Sequence, residues 1–562
     1  MSDVVFGHQN DLQGKGEYAR LAPVRRITAI VALACMLTGC GEQKSSAERF
    51  AEAGVLVLGN NSEPQSQDPH KATAVADGKI ICTLLEGLVR PSATTDGEVL
   101  PGMATSWEHN AQADVWTFHL NPAAKWSDGT PLTAHDFVYA YKRLLHPQFA
   151  GKYAEMLYPL HHAEAYNKGQ CPWEQVGVKA TDAQTLQLTL SGPTPHLPRL
   201  LLHYTWYPIP AHKVEALGGM LDRRSLWTRP ENWVGNGAYV LDAHRFNDFL
   251  SVRPNPLYLR AGELKNRGIR FQPIVNGYTE TRMYMGGKLH ISNNVPPEML
   301  SHAAAEHPQD FCRDPYYCTI FYRLNTARPP LNDLRVRRAL SLAIDREALV
   351  GKVVRGAGSP TTTFTPPGAG YAVNAPAQPA TQAQREEEAR RLLAEAGYTG
   401  GKGFPVLELM TTSRDVQRVM AETIQAMWEK VLGIHVDIRS CEWTAYKAAQ
   451  QNMEYDISSS SWSGDYLDPA TFVELWRSGG GNNCTDWGNA DFDAALAAAR
   501  STGNAEARRT HLQRAEELML QSQPILPLYH SQRTYLRSSR HVGGWQPRLL
   551  DNFPLDAVQV KP

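Results

Sequence analysis

Hydrophobic and polar positions along this chain follow two periods in short blocks, which predicts strands and helices interspersed from end to end. Val55 to Leu58 is an apolar run of the length of a buried strand. The turn-forming Asn60-Asn61-Ser62-Glu63-Pro64 and Asp68-Pro69-His70 follow it. Between residues 98 and 140 short strands alternate with turns. Trp116-Thr117-Phe118-His119-Leu120 reads as a half-exposed strand, and Trp126-Ser127-Asp128-Gly129-Thr130 as a tight turn. Thr133-Ala134-His135-Asp136 reads as a helix start feeding Phe137 and Tyr141. Thr185 to Leu190 alternates again, and Gly235-Asn236-Gly237 turns into a strand over Ala238 to Leu241. The second half is more helical: apolar residues recur at helical spacing from Arg335 to Val350, and from Glu386 to Ala396, which stops at Gly397. The Pro- and Ala-rich stretch from Pro366 to Thr381 reads as a surface excursion. This mixture predicts α/β lobes, and 562 residues are too many for one core, so at least two domains are expected.

The N-terminus has the pattern of a targeting segment. Arg25 and Arg26 precede the apolar run Ile27 to Leu37, which is too short to span a bilayer. The run closes on Leu37-Thr38-Gly39-Cys40, matching the lipobox of bacterial lipoproteins, in which the cysteine is acylated. An ordinary signal peptide with an incidental cysteine is the alternative. We expect residues 1–40 to be a lipoprotein signal peptide and 41–54 a polar tether, with the protein in the periplasm, anchored to a membrane only through lipid on Cys40.

Composition narrows the function. Lysine plus arginine, 56, nearly balances aspartate plus glutamate, 57, which gives no reason to expect nucleic acid as a partner. Outside the leader, Cys82, Cys171, Cys312, Cys318, Cys441 and Cys484 contain no CxxC pair, and their scatter argues against zinc. Cys312 and Cys318 are the only close pair, and spacing alone leaves a bridge between them open. There is no Gly-rich phosphate loop, HExxH helix or GxSxG elbow. The adjacent His161 and His162 would point apart on a helix, which fits a surface better than a metal site. We therefore expect no catalytic residue, no metal and no cofactor, and a binding protein rather than an enzyme.

One stretch stands out chemically. Ser458 to Pro469 reads Ser-Ser-Ser-Ser-Trp-Ser-Gly-Asp-Tyr-Leu-Asp-Pro and is entered from the strand-like Tyr455-Asp456-Ile457. Small side chains let another backbone approach, Trp462 offers a broad apolar face, and Asp465 supplies a carboxylate. That combination suits an extended ligand with a positive end. A serine-rich turn in which Asp465 caps the next helix reads the same residues equally well.

Further markers run from about Val55 to the C-terminus. They are Glu63-Pro64-Gln65-Ser66 with Asp68-Pro69-His70-Lys71, Glu86-Gly87-Leu88, Trp116 to Leu120, Ala124-Lys125-Trp126-Ser127-Asp128-Gly129-Thr130-Pro131 and Asp136-Phe137-Val138-Tyr139. Asn236-Gly237-Ala238-Tyr239, Asn332-Asp333-Leu334-Arg335-Val336-Arg337 with Ala339-Leu340, and Leu392-Leu393-Ala394-Glu395-Ala396-Gly397-Tyr398 follow. In this order they resemble the periplasmic oligopeptide-binding proteins of ABC importers, within the peptide, dipeptide and nickel family of solute-binding proteins. The resemblance implies an α/β, two-lobed periplasmic binding protein with a third domain inserted in the first lobe. The ligand cleft lies between lobes that close like a hinged trap. Lobe I would comprise residues 55–85, 212–315 and 530–562, the inserted domain II 86–211, and lobe III 316–529.

Carried over residue by residue, the resemblance puts the acid for a peptide's amino terminus on Asp465, and the backbone-pairing strand on Ser459 to Ser463, Ser461 included. Trp462 and Trp443 match cleft aromatics, Tyr153 a tyrosine at the amine end, Val75 a backbone contact, and Asn293 and Asn294 a cleft segment. Ordinary packing is the alternative for both tryptophans and for Tyr153. The departures concern the other end. Ser459 stands where the enteric binders use an arginine for short-peptide carboxyl termini, and Gln417 where they use a histidine. Thr73 and Gln450 replace an acid and an arginine of the second side-chain pocket. Ser463 replaces the cysteine after the tryptophan, so Cys318 lacks that partner. Arg355 is the candidate replacement cation.

The function implied is capture of short peptides by their backbone and terminal charges, with side chains in roomy, wet pockets, and delivery to ABC permease subunits in the inner membrane. The protein would act as a monomer. The same fold binding a murein peptide, a glutathione-like molecule, chelated nickel or haem is the alternative. An exported hydrolase would need a nucleophile or metal that the motifs lack.

Overall fold

The computed structural model describes residues 44–562 apart from 369 and 414, so the leader, Cys40 and the start of the expected tether lie outside the described residues. From Ser46 the tether is a helix instead. Ser46–Glu52 buries Ala47 and Ala51, four residues apart on one face, and the Ala47 N–H donates to the Gly287 carbonyl at 2.8 Å. Small apolar residues make that face, so overall polarity concealed it.

Three sheets of four, four and six strands carry the architecture. The first runs Val55–Gly59, Gly268–Gln272, Phe249–Pro254, Tyr239–Arg245, with only its first pair parallel. The second is antiparallel: Ala104–His109, Val115–Leu120, Thr185–Thr189, Val178–Ala180. The third is mixed, in the order Gly358–Pro360, Ile525–Leu536, Phe311–Leu324, Ile457–Ser463, Leu407–Thr412, Val436–Cys441. One core joins the first two sheets, with Leu56 and Phe271 in the same cluster as Trp116 and Phe118. The third sheet has a separate core on each face, because successive residues of a strand point to opposite sides. Tyr322 and Leu409 pack with Trp428 on one side, and Phe321 with Phe364 and Trp476 on the other. This is the two-lobed α/β arrangement that the sequence led us to expect.

Local signals fixed many boundaries. Helix Ala134–Leu145 starts where expected, with the Thr133 N–H donating to Asp136 Oδ2 at 2.8 Å. The helical spacing from Arg335 to Val350 resolves into two helices, Leu334–Leu342 and Arg346–Lys352. Asp345 breaks it by capping the second, accepting from the Ala348 N–H at 2.9 Å. His161 and His162 are exposed as expected, but they lie in a turn rather than on a helix, and their rings stack at 3.9 Å. Among the described residues no cluster of His, Cys, Asp or Glu suits a metal, and no helix is long and apolar enough to cross a membrane. Cys312 and Cys318 are free thiols six residues apart on the one strand Phe311–Leu324. At about 3.3 Å per residue that is roughly 20 Å, well beyond disulfide reach.

A buried ion pair fixes the segment that leads into the cleft. Arg143, fully buried on Ala134–Leu145, donates to both oxygens of Asp68 at 2.9 and 2.7 Å and to the Met220 carbonyl at 2.9 Å. Burial alone would raise the Asp68 carboxyl, but the charge and hydrogen bonds of Arg143, aided by His70, hold it well below the usual carboxylate range. Arg143→Met would strand that carboxylate. We expect it to cost about 3–5 kcal/mol in urea unfolding, with much of the loss restored by adding Asp68→Leu. An unchanged midpoint in the single variant would show that the pair contributes little.

Candidate functional site

A cavity of about 1,140 Å³ opens between the two lobes. One wall carries Thr73, Val75 and Lys79 together with Tyr153, Glu155, His203 and Tyr204; the facing wall carries Tyr316, Trp462, Ser463 and Asp465. Val75 opens helix Val75–Leu84. The Asp77 carboxylate ties the approach to that helix, accepting from the Gln65 N–H at 2.7 Å, and Val75 is left half exposed. Tyr153 precedes a short 3₁₀ turn, Ala154–Leu157, with its ring edge-on to His203 and its hydroxyl 3.5 Å from the Thr73 carbonyl. Trp462 and Ser463 end the strand Ile457–Ser463. Gly464 follows because a Cβ there would lie 2.5 Å from the Tyr317 ring. That bend delivers Asp465 to the cavity, with its N–H donating to Thr471 Oγ1 at 3.3 Å.

Electrostatically, Asp465 is the anomaly of this wall. Most acids lining the cavity have a cation: Glu474 has Arg500 at 3.0 Å, Asp551 has Arg533 at 2.6 Å, and Glu164 has Lys168 at 2.6 Å. Asp465 and Glu155 have none among the described residues. Burial, and then the charge of Glu155, pushes the Asp465 carboxyl up to about 6, and burial also raises Glu155. Burial and the Asp465 charge push the Tyr153 hydroxyl up to about 12, so it stays protonated and able to donate. Asp465 does not cap the next helix, as one reading of the sequence had it. Asp468, one residue before the helix's Pro469, accepts from the Ala470 N–H at 3.0 Å instead, while paired with Arg508. A carboxylate set in a cavity without a counter-charge is a receptor for a cation.

The strand beside it has an open edge. Ile457–Ser463 pairs along its whole length with Cys318–Leu324, but on its other side it meets Leu407–Thr412 only at Ile457 and Ser458. The Tyr446 hydroxyl donates to the Ser459 carbonyl. Beyond it the second edge has no strand partner among the described residues up to Ser463, and Ser461 and Ser463 are exposed. Such an edge can take an extended chain as an added strand.

Of the candidates from the sequence, the cavity brings together Asp465, Trp462, Ser463, Tyr153 and Val75. Ser461 lies on the open edge next to it. Ser459 is a buried residue of the strand and does not line the cavity; its Oγ donates to Gln417 Oε1 at 3.3 Å. Asn293 and Asn294 stand one layer back: Asn293 accepts from Lys79 Nζ at 2.9 Å, and the Asn294 N–H donates to Glu280. Two placements correct the expectation. Trp443 is 56% exposed on helix Trp443–Gln451 and stacks on Tyr446 outside the cavity. Arg355 is exposed just past helix Arg346–Lys352, where its charge acts on Glu298 rather than on the cavity. Sequence reasoning missed Glu155, Lys79, His203 and Tyr204. Only Glu155 had a signal, as an acid two residues past Tyr153.

An interlobe cavity, an open strand edge and an unmatched carboxylate define a solute-binding protein of the two-lobed type. Residues 98–484 match the model of the bacterial extracellular solute-binding proteins, family 5 (middle part), and the chain belongs to that family of carriers, which are not enzymes. It is similar to the periplasmic oligopeptide-binding protein OppA of Escherichia coli K12, 35% identical over 521 residues, covering 91% of this chain and 92% of the relative. Similarity to the periplasmic murein peptide-binding protein MppA of the same organism is 34% over 484 residues, covering 85% and 88%. The structure of Haemophilus influenzae OppA in complex with RPPGFSPFR superposes with a TM-score of 0.75 at 31% identity, covering 91% of this chain and 99% of that one.

If Asp465 receives a ligand cation, only its ionised form does so, and burial, which pushes its carboxyl up to about 6, lets protons compete with ligand below that point. Affinity for a ligand with an ammonium end is expected to fall about tenfold per pH unit below that point and to level off near pH 7. Asp465→Asn should flatten the profile. A flat wild-type titration between pH 5 and 7 would mean that another group anchors the cation.

Proposed function

We propose that this protein is the lipid-anchored, peptide-capturing component of an ABC importer, held in the periplasm through Cys40. The observation that carries the reading is the unmatched Asp465 carboxylate, two residues past a strand edge with no partner. An ammonium and a backbone ladder are what peptides of every sequence share, so a carrier using these two can ignore side chains. The oligopeptide-binding relatives, and the bound peptide in the Haemophilus structure, support the assignment.

In this reading Asp465 pairs with the peptide ammonium beside the Tyr153 hydroxyl. The backbone of Ser461 to Ser463 forms the ladder, Trp462 covers a side chain, and Val75 adds a backbone contact from the facing wall. Lobe I (residues 55–85, 212–315 and 530–562) and its insert (86–211) close on lobe III (316–529) about the crossing strands. The loaded monomer then docks on permease subunits in the inner membrane. A restricted cargo such as a murein peptide is the second reading, favoured by the similarity to MppA; Asp465 serves both.

Calorimetric titration of refolded, ligand-stripped protein separates these readings from the rest. A pool of tri- to pentapeptides with free amines should bind. The same pool N-acetylated should bind about 30-fold to over 1,000-fold more weakly, because removing one partner of a buried charge pair costs about 2–5 kcal/mol. Asp465→Asn should lose the same discrimination. Equal affinity for both pools would remove Asp465 as anchor, and a murein tripeptide binding where the pool does not would favour the second reading.

A further inference from the structure

The loop that carries Asp465 is held from both sides of the cavity. Its next residue, Tyr466, packs against the core of the first two sheets, whereas Leu467 belongs to a core of the third. Consecutive residues of one loop thus serve different lobes. The insert (86–211) supplies three further contacts. The His196 ring stacks on Tyr466 with centroids 6.1 Å apart. Arg508, which holds both oxygens of Asp468 at 2.9 Å, also donates from Nη2 to His196 Nε2 at 3.4 Å. Arg199, on helix Leu197–Leu200, donates from Nη1 to the Leu467 carbonyl at 3.3 Å. At Gly97, where φ is +78°, a Cβ would lie 2.8 Å from Leu467 Cδ2, so that turn also closes on the loop. Gly97, His196, Arg199, Tyr466 and Leu467 all line the cavity, and together they form a clasp across it.

Charge opposes the clasp. Glu155 on one wall and Asp465 on the facing wall are the two lining acids without a cation among the described residues, and the charge of Glu155 adds to burial in raising the Asp465 carboxyl. Like charges repel more strongly as the walls approach and water leaves. An ammonium set between them turns that repulsion into two attractions. The clasp itself is a ring stack, hydrogen bonds to neutral acceptors and an apolar touch, none of which needs a ligand.

Building on the peptide reading, we propose that the lobes close on the Asp465 loop itself. In this scheme His196, Arg199 and Gly97 are positioning residues that clasp Tyr466 and Leu467, and Glu155 keeps the clasp apart until a ligand ammonium lies between it and Asp465. Capture of the amine and closure of the cavity are then one event. A peptide with a blocked amine fails twice, at the anchor and at the clasp.

Small-angle scattering and stopped-flow binding of a pentapeptide test this. Wild type should contract on binding the free-amine peptide, and contract less when saturated with the N-acetylated form. Arg199→Ala and His196→Ala should each raise the dissociation rate about three- to tenfold, the worth of one hydrogen bond or ring stack. Association should stay within about twofold, because the clasp forms after capture. Arg199→Lys, which keeps a donor for the Leu467 carbonyl, should recover part of the loss. Glu155→Gln should raise the affinity of the acetylated peptide about two- to fivefold. Equal contraction with both peptides, unchanged dissociation in both alanine variants, or an unchanged acetylated affinity in Glu155→Gln overturns the proposal, while a free-amine preference in wild type keeps the peptide reading intact. Failure of every free-amine peptide to bind wild type overturns both.

Discussion

The antiparallel pairing of Phe311–Leu324 with Ile525–Leu536 is the constraint on which both lobes depend. Their register runs from Phe311 opposite Leu536 to Arg323 opposite Ile525. At one end Arg537 and Leu58 both bridge Ile291, which ties the pair to the four-stranded sheet of the first lobe. At the other end Cys318–Leu324 carries Ile457–Ser463. The ladder slips between Pro315 and Thr319, where Tyr316 lines the cavity and the Tyr317 N–H turns to the Leu549 carbonyl at 2.8 Å. The irregularity thus falls where the lobes meet. A slip of one residue in the next pairing would turn Trp462 to the opposite face and move Asp465 out of place.

Two aspartates three residues apart show how the fold treats charge. Burial would lift both. Asp468 has His196 and Arg508 beside it and is pulled below its ordinary pKa; Asp465 has no cation and is pushed up to about 6. The chemistry of the side chains is identical, so the difference lies wholly in what the lobes place nearby. Arg323 mirrors Asp465: burial depresses its pKa, and its partners are dipoles rather than an acid. Glu155 shares the isolation of Asp465, and Arg337 and Arg346, buried like Arg323, are likewise held by neutral carbonyls rather than by an acid.

Much of this was legible in the sequence where the signal is local. The strand at Trp116, the capped helix at Ala134 and the open serine strand follow from periodicity, a capping box and small residues. Trp462, Ser463, Tyr153, Val75 and Asp465 do converge on the cavity. What failed was non-local. Nothing near Trp443 in sequence says that its helix turns it to solvent, and nothing near Arg355 says that its charge faces Glu298 rather than the cavity. Lys79, His203 and Tyr204 reach the wall only through the docking of distant segments.

The same logic explains how a cleft can lose charges without losing its purpose. Ser459, Gln417, Gln450 and Thr73 are neutral together, so no lone charge is stranded among them. Ser459 bonds to Gln417, and Gln450 to Ser458 and Ser460, while Thr73 lies on the facing wall of the cavity. A binding site of this kind is built less from its contact residues than from which of its charges the surrounding fold declines to neutralise.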